Sequence, residues 1–298
     1  MYTNKRKGLL IVILGVTILS LDSLLVRLAG TTNWNILFWR GILMFISVGT
    51  ICIFRRKTSL PGDKKTWIAA LCSAIFFGLG GTFFVTSIMH TKVANAVVLI
   101  SASPLFAAIF TRMFRIDKIG LRTWLAIGIA LCGVIAVFSG SLRLGAGVKG
   151  DIIALLAACL LGGNLTLLRL FNTLDRFLLI SVGGLVMMIV AFPCAAPLHL
   201  PMQTYVVVAV MGLVQMPAAL ILIAQSTKYL PSPEVSLFLL IETILAPIWV
   251  WLFIGEIIPE STFLGGGIIL MTIVWHSWAG MRELHKVQKN IPIPNAKD

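Results

Sequence analysis

The sequence predicts an all-α integral membrane protein of ten transmembrane helices, arranged as two inverted five-helix repeats. Three observations carry this expectation. Of 298 residues 58% are hydrophobic and only 12% charged, with a mean hydropathy of +0.99; a soluble chain is nearer a quarter charged. The apolar residues gather into ten runs, each close to the roughly 20 helical residues that a bilayer core requires. Lys and Arg fall overwhelmingly in alternate connections between those runs.

The first run covers residues 8–29 and follows Lys5-Arg6-Lys7. A basic start ahead of apolar sequence also opens a signal peptide. This run is longer than a signal core, carries Asp22 and Arg27, and shows no clear cleavage site, so it is expected to remain as helix one. Helices two to five follow at 34–54, 67–89, 93–111 and 120–140. Helices six to ten follow at 150–171, 177–197, 203–226, 234–254 and 261–281. Helix is required because backbone groups in lipid must be satisfied within the segment or in a closed barrel. Barrel strands would alternate polar and apolar residues, and these runs do not. Pro104, Pro217 and Pro247 are expected to interrupt helices four, eight and nine, since proline lacks the amide donor and permits the bends that gates use. Gly128, Gly133 and Gly265-Gly266-Gly267 allow close helix approach, and packing within the chain is expected of them before a dimer face. Residues 282–298 are short, polar and proline-containing, and are expected to form a disordered cytoplasmic tail.

Orientation follows from charge. With the N-terminus in the cytoplasm, all but five of the 24 Lys and Arg fall inside; the exceptions are Arg27, Arg40, Lys92, Arg143 and Lys149. That bias places both termini in the cytoplasm of a cell (inner or plasma) membrane. Trp34, Trp39, Trp249 and Trp251 then fall toward outer ends, and Trp67, Trp124, Trp275 and Trp278 toward inner ends, as an interfacial belt would.

Other classes are poorly supported. The net charge of +13 is spread between apolar runs, which suits loops beside anionic lipid and not nucleic acid. The five cysteines, Cys52, Cys72, Cys132, Cys159 and Cys194, lie in or beside apolar runs without a CxxC pair, so neither a disulfide framework nor a metal site is expected. There is no GxxxxGK[ST] sequence and no room for a soluble nucleotide-binding domain. No GxSxG elbow or metal-spaced His/Asp/Glu cluster supports an intramembrane enzyme. No cofactor is expected. Expected partners are the bilayer, a small-molecule substrate and protons as coupling ion; monomer and homodimer both remain open.

The halves can be laid over each other, as residues 1–140 and 141–281. Offset by 142, Lys7-Gly8 meets Lys149-Gly150, Asp22 meets Asn164, and Arg27-Leu28 meets Arg169-Leu170. Offset by 139, Ser87 meets Ser226, Ala107 meets Ala246, Asp117 meets Glu256, and Gly128 meets Gly267. Because five is odd, duplicated units of five helices enter the membrane from opposite sides, which is the architecture of alternating access. A scaffold or receptor has no need of such two-sided symmetry.

The stretch Val93-Ala94-Asn95-Ala96 to Ser101-Ala102-Ser103-Pro104-Leu105-Phe106-Ala107-Ala108 resembles the fourth helix of EamA-type members of the drug/metabolite transporter superfamily. Pro233-Glu234-Val235-Ser236-Leu237 to Glu242-Thr243, then Gly255-Glu256, resembles the ninth helix and its closing loop, and Gly150-Asp151 the start of the sixth. The family's usual Glu-Pro reads Glu242-Thr243 here, with Pro247 four residues after Thr243. The resemblance implies ten helices, a central cavity and efflux of amino acids, nucleosides, metabolites or drug-like compounds. Within transport, an importer or an uncoupled facilitator is the alternative.

Candidates for substrate or proton contact are Asp22, Glu242, Trp249, Phe238, Asn164 and Arg40. Ionisable groups at depth cost about 2.5–3.5 kcal/mol on insertion scales, so they are expected to face a cavity or a partner. For Asp22, a solute or proton contact and a structural hydrogen bond both remain open. Asp22 and Arg27 point apart around helix one, which argues against a pair between them. Glu242 shares a helical face with Val235, Phe238, Ala246 and Trp249. A carboxylate among aromatic rings suits an organic amine, while its family position also suits interhelical hydrogen bonding. Arg27 and Arg40 are expected to snorkel to outer headgroups. Asn164, Gln215 and Gln225 are expected to tie helices together, and His276 to sit at an interface.

Overall fold

A computed structural model describes residues 2–54, 62–114, 121–143, 147–171, 173–196, 198–226, 229 and 232–289. Among them the chain forms helices α1 (Tyr2–Ser20), α2 (Asp22–Leu28), α3 (Asn33–Phe54), α4 (Lys64–His90), α5 (Val93–Ile100), α6 (Ser103–Met113), α7 (Leu121–Arg143), α8 (Val148–Leu170), α9 (Arg176–Ala191), α10 (Met202–Ala209), α11 (Met216–Ser226), α12 (Ser232–Ile254) and α13 (Glu260–Lys289). No strand occurs among the described residues. Seven helical stretches are long and apolar enough to cross a membrane: Arg6–Leu28, Asn33–Phe54, Lys64–His90, Val93–Met113, Val148–Leu168, Arg176–Cys194 and Met202–Ile223. At the other three expected crossings the apolar part is shorter, over Trp124–Gly140, Ile241–Ile254 and Glu260–Trp275.

Local chemistry explains most of the ends. Asp63 caps α4, accepting hydrogen bonds from the amides of Lys65 and Thr66. The Thr66 hydroxyl donates to the same carboxyl and holds it below the usual carboxylate range. Gly255 closes α12: its φ is +76°, a left-handed conformation that glycine adopts without a Cβ clash, and its amide bonds the Trp251 carbonyl at 2.9 Å.

The prolines act differently from one another. Pro104 sits in the first turn of α6, just after the break at Ser101-Ala102 that separates α5 from α6. Pro217 follows a six-residue π-helical turn, Val210–Gln215, through which the eighth crossing passes without breaking. A wider turn relieves the clash between the proline ring and the preceding carbonyls. Pro247 does not interrupt the ninth crossing as expected; α12 runs through it from Ser232 to Ile254. A missing amide costs one hydrogen bond, and packing on both sides holds the helix straight enough to continue. The first crossing, expected to be continuous, is divided at Leu21. The last helix continues to Lys289, beyond the expected end at 281. Residues 290–298 of the expected tail lie outside the described residues.

The helices pack in defined pairs. α3 lies along α9, α7 along α13, α4 along α8 and α9, and α1 along α11 and α12. Backbones meet closely in several of these pairs, α4 with α9 at Gly78 and Gly183 among them, and two of the meetings are reciprocal. A Cβ on Gly41 would stand 2.6 Å from the Gly184 carbonyl oxygen, and one on Gly184 would stand 2.8 Å from that of Gly41. Gly133 and Gly265 meet in the same reciprocal way, at 2.7 and 2.5 Å. In lipid there is no hydrophobic drive between helices, so such close approach supplies the dispersion contact that holds them. The expected use of Gly133 and Gly265 within the chain is what is seen; Gly128 and Gly267 face open space.

The core is unevenly distributed along the bundle. One large buried cluster joins α2, α3, α4, α5, α8, α12 and α13 toward the end opposite the N-terminus, through residues such as Leu24, Ile36, Ile88, Val97, Ala154, Val250 and Ile269, and continues along α3 and α9 to Val48 and Phe177. Toward the N-terminal end the described apolar residues fall into three separate groups. Val12 and Val16 pack with Ile223, Phe238 and Ile241. Ala69, Ala70 and Ala74 pack with Leu174 and Leu179. Leu105 packs with Ile127 and Ala130.

Gly41→Ala should force α3 and α9 apart and lower stability by about 1–3 kcal/mol, the usual range for overpacking. Thermal unfolding of the detergent-purified protein reads this, with Gly128→Ala, which has space for its methyl group, as the unaffected control.

Candidate functional site

The division of the first crossing at Leu21 creates polar demands inside the bundle. The Leu21 amide reaches back only three residues, to the Ile18 carbonyl at 3.3 Å. The carbonyls of Ile18 and Leu19 instead accept hydrogen bonds from Gln215 Nε2 at 3.1 and 3.3 Å. Gln215 comes from the last position of the π-helical turn, so one irregularity in the eighth crossing satisfies another in the first. Ser20 Oγ donates to the Thr17 carbonyl at 2.7 Å and accepts the Trp249 indole N–H at 2.9 Å.

Asp22 opens α2 just past this division. Its Oδ2 accepts a hydrogen bond from Arg40 Nη1 at 2.9 Å, and the two side chains are 3% and 2% exposed. Arg40 therefore does not snorkel; its guanidinium turns inward from α3 because an ionised Asp22 at depth needs a cation more than the headgroups do. Asp22 Oδ1, Arg40 Nε and Gln215 Oε1 have no hydrogen-bond partner among the described residues.

Glu242 lies mid-way along α12, half-buried, close enough for the charges of Asp22 and Arg40 to act on it. It forms no hydrogen bond or ion pair with any described residue. Phe238, one turn earlier, packs against Val12 and Val16. Trp249 is tied to Ser20 and lies 6.5 Å from the Phe253 ring. The structure thus brings together Asp22, Arg40, Glu242, Phe238 and Trp249 from the sequence candidates. Asn164 is elsewhere, accepting from the Ser73 hydroxyl at 2.5 Å between α8 and α4. Gln225 is exposed. The side chains of Pro104, Val235 and His276 lie outside the described residues.

A second polar group, which sequence reasoning did not assemble, occupies the end opposite the N-terminus. Arg27 Nη2 is 2.9 Å from Glu256 Oε2 and donates to the Thr91 carbonyl at 2.9 Å. Glu256 Oε1 accepts the Val93 amide at 2.7 Å. Thr91 Oγ1 donates to Asp151 Oδ1 at 2.6 Å, Asn95 Nδ2 approaches the same oxygen at 3.4 Å, and Thr262 Oγ1 donates to Asn95 Oδ1. Gly150-Asp151 and Gly255-Glu256 were visible only as motifs; nothing local in the sequence says that they meet the same turn between α4 and α5. Asp22 and Arg27 do take separate partners. No disulfide joins the five cysteines, and no cluster of metal-binding type occurs among the described residues.

Comparison with known proteins adds three findings. Residues 6–139 match the EamA-like transporter family. The uncharacterized transporter YdfC of Bacillus subtilis (strain 168) is 24% identical over 198 residues, so that 64% of this chain and 64% of that one, just under two-thirds of its length, are aligned. A protein solved as a crystal structure shares the fold at a TM-score of 0.60 and 14% identity, over 93% of this chain and 99% of that chain.

Asp22→Ala should leave Arg40 buried without a counter-ion and cost about 3–5 kcal/mol. The double change Asp22→Leu with Arg40→Met should recover most of that loss, as apolar replacement of a buried pair does. A thermal-unfolding cycle over the single and double variants measures both.

Proposed function

Since residues 6–139 match the EamA-like transporter family and a transporter of Bacillus subtilis is similar over 64% of the chain, we propose that this chain is a secondary transporter of the EamA type that exports a small organic solute by alternating access in exchange for protons. Ten crossings in two inverted repeats, with both termini cytoplasmic, provide the machinery.

The pattern of neighbours supports the repeat. In chain order the crossings are α1–α2, α3, α4, α5–α6, α7, α8, α9, α10–α11, α12 and α13. Exchanging each crossing with the one five places away turns the first–eighth contact into sixth–third, and first–ninth into sixth–fourth. It maps second–seventh, fifth–tenth and fourth–ninth onto themselves. Every one of these contacts is made. The two reciprocal glycine crossings, Gly41 with Gly184 and Gly133 with Gly265, are the self-paired ones.

One observation carries the solute class. The centre of the bundle gathers two carboxylates, Asp22 and Glu242, and one guanidinium, Arg40. Asp22 and Arg40 neutralise each other, which leaves the Glu242 carboxylate one positive charge short in a medium that penalises unpaired charge. A proton or the ammonium group of an organic cation supplies that charge, and the two exclude each other at a single carboxylate. Exclusive occupancy of one group is the minimal device for exchange. Phe238 on the preceding turn offers a ring face to the same cation.

The test uses proteoliposomes loaded with a pH-sensitive dye and a panel of monovalent organic ammonium compounds. At least one compound should drive a change in internal pH through the wild-type protein, and Glu242→Gln should abolish it. An unchanged response from Glu242→Gln would discard the site, and silence across the panel would discard the solute class.

A further inference from the structure

We propose that Arg27 and Glu256 form the gate that closes the end of the bundle opposite the N-terminus. The inference rests on the transporter reading, since only a transporter needs that end to open. These two side chains tie three parts of the chain to each other: the last turn of α2, the Thr91–Val93 turn between α4 and α5, and the loop between α12 and α13. Arg27 reaches Glu256 and the Thr91 carbonyl, each at 2.9 Å, while Glu256 takes the Val93 amide at 2.7 Å. Val93 begins α5, so its amide is one that the helix itself cannot satisfy. Gly255 turns the chain so that Glu256 points back over the bundle.

The contrast between the Arg27–Glu256 and Asp22–Arg40 ion pairs decides the assignment. Both have a 2.9 Å contact. Asp22 and Arg40 are 3% and 2% exposed, so separating them would strand two charges in apolar surroundings; that pair is a fixed strut. Arg27 and Glu256 are 23% and 12% exposed, at the water's edge, where hydration replaces the partner as they part. The Asp151, Asn95 and Thr262 hydrogen bonds hold the Thr91 turn from behind and give the pair a fixed seat to close against.

What lies beneath fits a gate. Beside the ion pair, Val93, Ala94, Pro247, Val250, Glu256, Ile257 and Ile258 close round a cleft too tight to hold a water.

The experiment is thiol labelling with a membrane-impermeant maleimide, applied from the Arg27–Glu256 side. The five native cysteines are replaced and Ala94→Cys, at a position 4% exposed in the cleft, serves as the reporter. The otherwise unaltered protein should label slowly. Arg27→Gln and Glu256→Gln should each label about tenfold faster, the effect of a shift near 1.4 kcal/mol in the open–closed equilibrium. The double variant should label no faster than the faster single, because the two residues form one closure. Arg27→Lys, which keeps the charge but loses the fork to Thr91, should fall between and serves if a glutamine variant does not purify as a single species. Labelling of the variants at the parent rate, or singles whose effects multiply in the double, would overturn the gate. No transport substrate is needed, so this result stands apart from the fate of the ammonium panel.

Discussion

A backbone carbonyl or amide left without a partner in hydrocarbon costs several kcal/mol, and this constraint governs where the chain can be irregular. The first crossing divides at Leu21, and Gln215 reaches over to hydrogen-bond the carbonyls of Ile18 and Leu19 beside the division. Gln215 is available there because the eighth crossing widens into a π-helical turn ahead of Pro217. The second irregularity is thus the condition for the first. Asp22 sits beside the division and is tolerated because Arg40 meets it from α3. The candidate site is in this sense a consequence of pairing the irregular backbone and the first carboxylate at depth, with Glu242 left without such a partner among the described residues.

This dependence also explains what could be read from the sequence. Apolar helices were legible because they require only local apolar content: each expected run holds a helix, seven stretches are long and apolar enough to cross a membrane, and the largest miss is the last helix, which continues to Lys289. Leu21 carries no proline or glycine, and the residue that makes a break affordable there is nearly two hundred positions away. Arg40 looked like an anchor for headgroups because its depth was the only local information; its true partner is eighteen residues back on another helix. The angular argument separated Asp22 from Arg27 but could not name Glu256. Prolines were read as equivalent, yet Pro104 follows a break, Pro217 follows a widened turn, and Pro247 is absorbed. Each outcome depends on neighbours that a single sequence does not reveal.

Under the proposed repeat the two halves are more alike in packing than in polar chemistry. Offset by 142, Asp22 corresponds to Asn164, and Arg40 corresponds to Val182. Where the second copy lacks the carboxylate it also lacks the guanidinium, and Asn164 is content with a single hydroxyl from Ser73. The helix carrying Asn164 is unbroken from Val148 to Leu170. Loss of the charge, loss of its counter-charge and loss of the break go together, as they must if the ion pair and the broken helix depend on each other. Shape must be shared for two states to have comparable energy, but a charged centre is needed only once.

That asymmetry bears on how the ends can behave. An exchange between two conformations requires contacts that persist in both and contacts that do not. The glycine crossings Gly41–Gly184 and Gly133–Gly265 are backbone to backbone, and under the proposed repeat each joins a helix to its own counterpart. A contact on the axis of the repeat maps onto itself, so it can survive the exchange and act as a pivot. The Arg27–Glu256 contact has no such standing: it joins the first crossing to the loop after the ninth. Its image under the exchange would involve Arg169 and Asp117 at the opposite end, and both lie outside the described side chains. A contact off the axis cannot be made identically in both states, and polar groups at the water's edge are those that can be unmade with the least penalty. Rigid crossings at the centre and a hydratable pair at the rim are therefore complementary requirements of one rocking movement.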